Sequence, residues 1–324
     1  MAIVRTDVPM TSALCSEIIQ QLVAAYPALR TEVLTTTAFG RPVQTLSIGD
    51  GPRKVLFSAS HHANEWITTP VILRFMEELA EAARTGGRFM EELAEAARTG
   101  GRIYGVPARN ILKYNTIYTV PMVNPDGVDL VTGAIQTGTL EYETARRLAD
   151  NYPDIPFPDG WKANLLGVDL NLQYPAGWLQ AREIKFSQGF TRPGPRDYVG
   201  RAPLNQRESI ALAEYTEQLD PVLVLAYHTQ GKVIYWQFMD YDISGARELG
   251  EEFARVSGYE LADTPYESSF AGYKDWFIQY FRRPGYTVEV GLGENPLPLS
   301  QFDEIYRDNL GILVTAATGL PGGV

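Results

Sequence analysis

The sequence predicts an α/β fold, read as one large domain over residues 1–324 built on a buried mixed or parallel sheet. Three observations lead there. Helical periodicities alternate with short strand-like runs along the whole chain. Runs such as KVLFSA at Lys54 to Ala59 and PVLVLAY at Pro221 to Tyr227 are continuously apolar, as strands covered on both faces are. A chain of 324 residues with 45% hydrophobic content can also bury a sizeable core, and its length lies between one large domain and two ordinary ones.

Helical spacing of apolar residues covers Ser12 to Ala25, Pro70 to Arg84, Asn205 to Leu219, Ser244 to Ser257, Ala271 to Phe281 and Ser300 to Ala317. Strands are expected at Pro42 to Ile48, Lys54 to Ala59, Thr116 to Val123, Pro221 to Tyr227, Val233 to Phe238 and Tyr286 to Val290, runs rich in Val, Ile, Leu and Tyr. The polar stretch Thr132 to Val168 and the Arg/Pro/Gly-rich stretch Thr191 to Pro203 read as excursions around the rim of the sheet. Residues 74–87 (RFMEELAEAARTGG) recur unchanged as 88–101, an identical tandem helical duplication. Phe75, Met76, Leu79, Ala82 and Ala83 supply one apolar helix face, and Phe89, Met90, Leu93, Ala96 and Ala97 repeat it. One continuous helix would keep the two stripes within about 40°, yet would carry Gly86 and Gly87 inside it at about 1 kcal/mol each. The expectation is that one copy fills the helix slot while the other extends it or loops out.

A formal charge of −11 and a pI near 4.9, with no Lys/Arg cluster, exclude nucleic acid as a partner. Cys15 is the only cysteine, so no internal disulfide forms and no metal is held by thiolates. No apolar stretch reaches the ~18 residues of a membrane span, and the N-terminus lacks a leader-like apolar core. The chain therefore reads as soluble and cytoplasmic, with a secreted or spore-associated location as the alternative; its oligomeric state is open.

The chain has three histidines. Two stand in His61-His62-Ala63-Asn64-Glu65, directly after the Lys54 to Ala59 run and just before a helix, and His228 follows the Pro221 to Tyr227 run. Ligands delivered from two strand ends can converge on one ion. His62, Glu65 and His228 give two nitrogens and a carboxylate, a set that leaves a coordination position open, as a catalytic zinc requires. His61 competes with His62, but the three-residue spacing to Glu65 favours His62. Glu289 closes the apolar run Tyr286 to Val290, a place where a carboxylate suits a general base acting on a water that attacks a carbonyl. The other reading of Glu289 is a solvated edge-strand residue.

These residues resemble the zinc carboxypeptidase family. His62-Ala63-Asn64-Glu65, His228 and Thr287-Val288-Glu289-Val290 look like its ligands and catalytic glutamate; Asn124-Pro125-Asp126-Gly127, Gly167 to Asn171, Pro203 to Ser209 and Asp275-Trp276 match in order. Leu172 to Pro175, Arg192 to Tyr198, Ala271 to Trp276 and Gly293 to Pro298 are similar to its bacterial γ-D-glutamyl-L-diamino acid endopeptidase branch, which cuts peptidoglycan stem peptides.

The resemblance, spanning about Thr36 to Ala317, implies an α/β/α domain around a mixed, mostly eight-stranded twisted sheet, with one Zn2+ at the strand ends. It implies zinc-dependent hydrolysis of the γ-D-glutamyl to meso-diaminopimelate amide, with His62, Glu65 and His228 on the metal and Glu289 handling the proton. Asn171 is implied to bind a substrate carboxylate, Tyr266 to cover the substrate, and Lys274 to meet an acidic substrate side chain. Two departures stand out. Leu172 follows Asp169-Leu170-Asn171 where relatives carry an arginine, and Asn164 to Gly167, with Leu166, lacks the arginine that many relatives place before Gly-Val-Asp. Arg192, Arg196 or Arg201 could reach in from their loop instead, or only pin it, and Arg196 is the substrate-binding candidate. The alternatives are a metallocarboxypeptidase or amidohydrolase on another small acidic peptide, or a catalytically weakened cell-wall peptide-binding protein.

Overall fold

The apolar run of strand β5 (Arg53–Ala59) is covered on both faces. Val55 and Phe57 point into one apolar layer and Leu56 into another. This follows from the two-residue period of a strand, which sends successive side chains to opposite sides. The same division holds in β7 (Leu223–His228), where Leu223 and Leu225 share the layer of Val55 while Val224 and Ala226 share that of Leu56.

The computed structural model describes residues 2–86 and 108–319. The other strands are β1 (Leu29–Arg30), β2 (Val33–Thr36), β3 (Pro42–Gln44), β4 (Leu46–Ile48), β6 (Asn115–Val120), β8 (Val233–Tyr235), β9 (Glu260–Ala262) and β10 (Gly285–Glu289). Eight of them form one mixed sheet in the order β1-β4-β6-β5-β7-β10-β8-β9, with β2 and β3 paired as a separate ribbon. The central strands β6, β5, β7 and β10 run parallel, so their carboxyl ends open on the same edge. In open sheets of this kind that edge gathers binding sites.

Helices cover both faces. One layer takes α1 (Ser12–Ala25), α2 (Thr68–Thr85), α8 (Ala246–Ser257) and α10 (Phe302–Thr318). The other takes α6 (Trp178–Ser187), α7 (Arg207–Leu219) and α9 (Tyr273–Phe281). The shorter α3 (Ala108–Tyr114), α4 (Pro125–Val131) and α5 (Leu140–Ala149) complete the described helices. The expected α/β/α architecture around an eight-stranded sheet is therefore present. Among the described residues no helix is long and apolar enough to cross a membrane.

Two expectations change. The run Pro42 to Ile48 is two strands: β3 pairs with β2, while β4 joins the main sheet, and the chain switches between them at Thr45. The stretch Thr132 to Val168 is not all loop, because it contains α5, whose cap Thr139 accepts from the Tyr142 N–H. The buried residues of α5 are alanines, Ala145 and Ala149, which leave little apolar periodicity to read. They pack with Leu130, Trp161 and Leu165 in a small third core. As for the duplication, the described part of the first copy lies in and just after α2, with Phe75, Met76 and Leu79 buried. Its helix stops at Gly86, which takes the left-handed conformation (φ 75°) that glycine adopts without a Cβ penalty. The second copy, residues 88–101, lies outside the described residues.

Candidate metal centre and active site

Three neighbouring parallel strands bring the site together. Strand β5 ends at Ala59, Ser60 turns the chain with a positive φ of 50°, and His61 and His62 lead into a 3₁₀ turn at Ala63–Glu65. The Ser60 N–H donates to Thr68 Oγ1, and that hydroxyl donates to the Glu65 carbonyl, so the first residue of α2 ties the turn closed. His228 is the last residue of β7 and Glu289 the last of β10, and the two face each other in register.

Three side chains converge. His62 Nδ1 lies 2.9 Å from Glu65 Oε1, His228 Nδ1 lies 2.9 Å from Glu65 Oε2, and the two Nδ1 atoms are 3.2 Å apart. One donor atom from each of His62, Glu65 and His228 falls within 4.8 Å of the others. Behind this trio, His62 Nε2 donates to Asp169 Oδ1 at 3.2 Å, which aims Nδ1 inward. Asp169 is itself held by the backbone N–H groups of Asn171 and Asp197. Lys162 Nζ stands 3.1 Å from Glu65 Oε1.

The electrostatics show what the cluster requires. Burial pulls the His62 imidazolium down, but Glu65 and Asp169 outweigh it and hold it up at about 9. Burial would raise the Glu65 carboxyl, yet His62 and Lys162 keep it well below the ordinary carboxylate range. Burial depresses His228, leaving its nitrogen a lone-pair donor. The two Nδ1 atoms and both Glu65 oxygens face one point, an arrangement of donors that an ion can occupy. Two nitrogens and a carboxylate are a donor set that suits zinc, so the residues present fit the ion. Glu289 is pushed up to about 8, first by burial and then by the charge of Glu65, with Lys162 and His62 opposing.

The site opens into a cavity of about 840 Å³ whose wall includes His62, His228, Glu289, Asn171, Lys274 and Arg196. Its back is fixed by Asn124, which caps α4 by accepting from the Gly127 N–H and donates to the carbonyls of His61 and Ala163. A Cβ at Gly127 would meet the Ala163 carbonyl at 2.6 Å and the Ala63 side chain at 2.8 Å, so the backbone approach there needs glycine.

Residues 15–311 match the family model described as zinc carboxypeptidase (peptidase M14). The chain belongs to the zinc carboxypeptidase family. It is 43% identical to γ-D-glutamyl-L-diamino acid endopeptidase 1 of Lysinibacillus sphaericus over 298 residues, which is 91% of this chain and 69% of that protein. It is 34% identical to the uncharacterized protein YqgT of Bacillus subtilis (strain 168), over 91% of this chain and 73% of that protein. The fold matches the crystal structure of carboxypeptidase A from Helicoverpa armigera with a TM-score of 0.67 at 17% identity, covering 98% of this chain and 76% of that one.

The chain is thus a zinc metallopeptidase of a family that uses one zinc ion, with His62, Glu65 and His228 positioned so that they could hold it. The other candidates divide. Asn171 lines the cavity, its Oδ1 accepting from the Tyr273 N–H. Lys274 is no surface lysine: it is buried, donates to the Gln237 carbonyl at 2.6 Å and pairs with Asp275. Arg196 reaches the cavity, whereas Arg192 contributes its backbone to Tyr152 on the outside of the loop. Tyr266 is 66% exposed, packs edge-on against Phe270 and is not among the residues lining the cavity. His61 is buried, its Nε2 3.3 Å from the Tyr174 hydroxyl and its ring stacked on His228.

The two leucines fare differently. Leu172 is buried in the cavity wall, so the apolar departure at that position is real. Leu166 is 42% exposed and the cation that accompanies the metal ligands comes from Lys162, four residues earlier. In the sequence the absent arginine is expected shortly before Gly-Val-Asp, and nothing in Trp161-Lys162 marks the lysine as a cation of the site. Asp169 was also missed as the orienter of His62, although its Gly-Val-Asp motif had been noted. Lys185 and Asp197 carried no signal beyond lying in or near a charged loop.

Proposed function

We propose that this chain hydrolyses peptidoglycan stem peptides at the γ-D-glutamyl to meso-diaminopimelate amide, with the metal ligands, Glu289 and the cavity residues in the roles that follow. The observation that carries this reading is Glu289 at the carboxyl end of β10, in register with His228 and facing a cavity that holds Lys274 and Arg196. The kinship with the Lysinibacillus endopeptidase selects the amide.

A zinc ion held by His62, Glu65 and His228 supplies Lewis acidity toward the scissile carbonyl and makes water a better nucleophile at neutral pH. Glu289 in its ionised form takes a proton from the attacking water as the new C–O bond forms, and returns it to the nitrogen as the C–N bond breaks. Lys162, kept protonated because Glu65 and Glu289 offset the cost of its burial, donates to the oxygen on which negative charge develops. Asn171 offers its side-chain N–H group to a substrate carboxylate. Lys274 presents its ammonium to the acid of the diaminopimelate side chain, where Asp275 and the Gln237 carbonyl hold it. Tyr266 would cover the substrate only after swinging in from its exposed position. The substrate is pictured as a free wall fragment met in the cytoplasm.

Lys162, able to serve in place of the arginine missing near Leu166, favours turnover over binding alone, and Leu172 argues against an exopeptidase that clamps a terminal carboxylate. Digestion of L-Ala-γ-D-Glu-meso-diaminopimelate, with products identified by mass spectrometry, tests the reading. Release of L-Ala-D-Glu is expected. Removal of a terminal residue alone would make the protein a carboxypeptidase, and binding without cleavage would make it a binding protein.

A further inference from the structure

The charges along the cavity wall are not evenly neutralised. Lys162 is committed to Glu65, and Lys274 to Asp275. Asp197, by contrast, is shared by two cations: its Oδ1 lies 2.8 Å from Lys185 Nζ and its Oδ2 accepts from Arg196 Nε at 2.6 Å. One carboxylate between two cations leaves this trio with a net positive charge. Asp197 holds a left-handed backbone (φ 63°), and its N–H donates to Asp169 Oδ2, so the strut is anchored to the residue that orients His62. Arg196 uses only Nε in this arrangement. Among the described residues neither of its terminal nitrogens is hydrogen-bonded, its side chain is 40% exposed, and it lines the cavity.

A guanidinium fixed through Nε, with its terminal nitrogens open to a cavity, is arranged to grip a carboxylate. Its place in the cavity suggests which one. Arg196 is near enough to Lys162 to disfavour the latter's charge, whereas Lys274 sits among Asp275, Gln237 and Thr264. If Lys162 serves the scissile carbonyl and Lys274 the amine side, Arg196 serves the acyl side. A γ-linked glutamyl group differs from an α-linked one in carrying a free α-carboxylate beyond its scissile carbonyl. We propose that Arg196, positioned by the Lys185–Asp197 strut, binds that acyl-side carboxylate and so makes the enzyme read the γ-linkage; this rests on the peptidase reading above.

The test uses two peptides that differ only in whether the α-carboxylate of the γ-linked D-glutamate is free or is a carboxamide. The zinc-loaded wild type should show a kcat/KM about 10- to 100-fold higher on the free acid, the range expected of a charge-assisted hydrogen bond. Arg196→Gln should abolish that preference, losing far more of its rate on the free acid than on the carboxamide, with its zinc content kept. Lys185→Met should reduce the preference as a positioning residue would. Equal rates of the wild type on both peptides, or an equal loss by Arg196→Gln on both, would overturn the proposal. Calorimetric binding of L-Ala-D-Glu against its carboxamide to the same proteins separates this claim from the peptidase reading. If neither peptide is cleaved, wild-type selectivity for the acid that Arg196→Gln loses still supports Arg196, and equal affinities refute it.

Discussion

Lys162 and Asp169 act on the metal trio from opposite sides, one through Glu65 and the other through His62. Their substitutions should therefore fail differently. Lys162→Met removes a donor aimed at developing charge, so kcat should fall by about 10²- to 10³-fold with little change in KM, measured by steady-state kinetics on the tripeptide. Asp169→Asn leaves the His62 ring without its fixed tautomer, and zinc affinity should drop about 10- to 100-fold in a competition titration with a chromophoric chelator. At this scale the convergent trio was legible because His62 lies just after one apolar strand, His228 closes another, and Glu65 lies three residues from His62. Lys162 was not, because a lysine next to a tryptophan carries no spacing signal; only the fold brings its Nζ beside Glu65.

The elements are positioned by buried polar contacts as much as by apolar layers. Arg41 pairs with both Asp126 and Asp129, and Asp129 also accepts from the Ser12 hydroxyl, which ties the start of α1 to α4. At the start of α7, Glu208 is buried and its carboxyl is pushed up to about 7, chiefly by burial. Its unfolded counterpart ionises near 4.5, so the folded state binds the extra proton between those values. Stability should fall as pH rises from 4.5 to 7, by up to about 3 kcal/mol from this group. Glu208→Gln should flatten that part of a urea-unfolding profile. Long helices and the central strands could be read from periodicity, and α1 was read at its observed limits. The strands β1, β2 and β9 could not, since they are two to four residues long and partly exposed. Helix α5 was hidden because its buried positions are alanines.

Over the whole molecule, a net charge of −11 coexists with a cavity wall carrying Lys162, Lys185, Arg196 and Lys274. Those cations stand among the carboxylates Asp159, Asp169, Asp197, Asp275, Glu289 and Glu294 of the same wall, so any attraction of an acidic substrate comes from individually placed side chains rather than from the field of the surface at large. The order of the short motifs conveyed the architecture, since each one lands at the same edge of the sheet: His62 after β5, Asn124 after β6, His228 at the end of β7 and Glu289 at the end of β10. What sequence order could not convey is how the Thr191 to Pro203 loop folds back, with Pro195 accepting from the N–H groups of Lys162 and Ala163 and so joining two distant parts of the site.

Paired measurement of zinc content and turnover in the wild type and in Glu289→Gln tests the central claim most directly. Both proteins should bind close to one zinc per chain, while the variant loses about 10²- to 10⁴-fold in kcat, the range for removing a general acid–base. A variant that keeps near-wild-type turnover with its zinc in place would contradict the account.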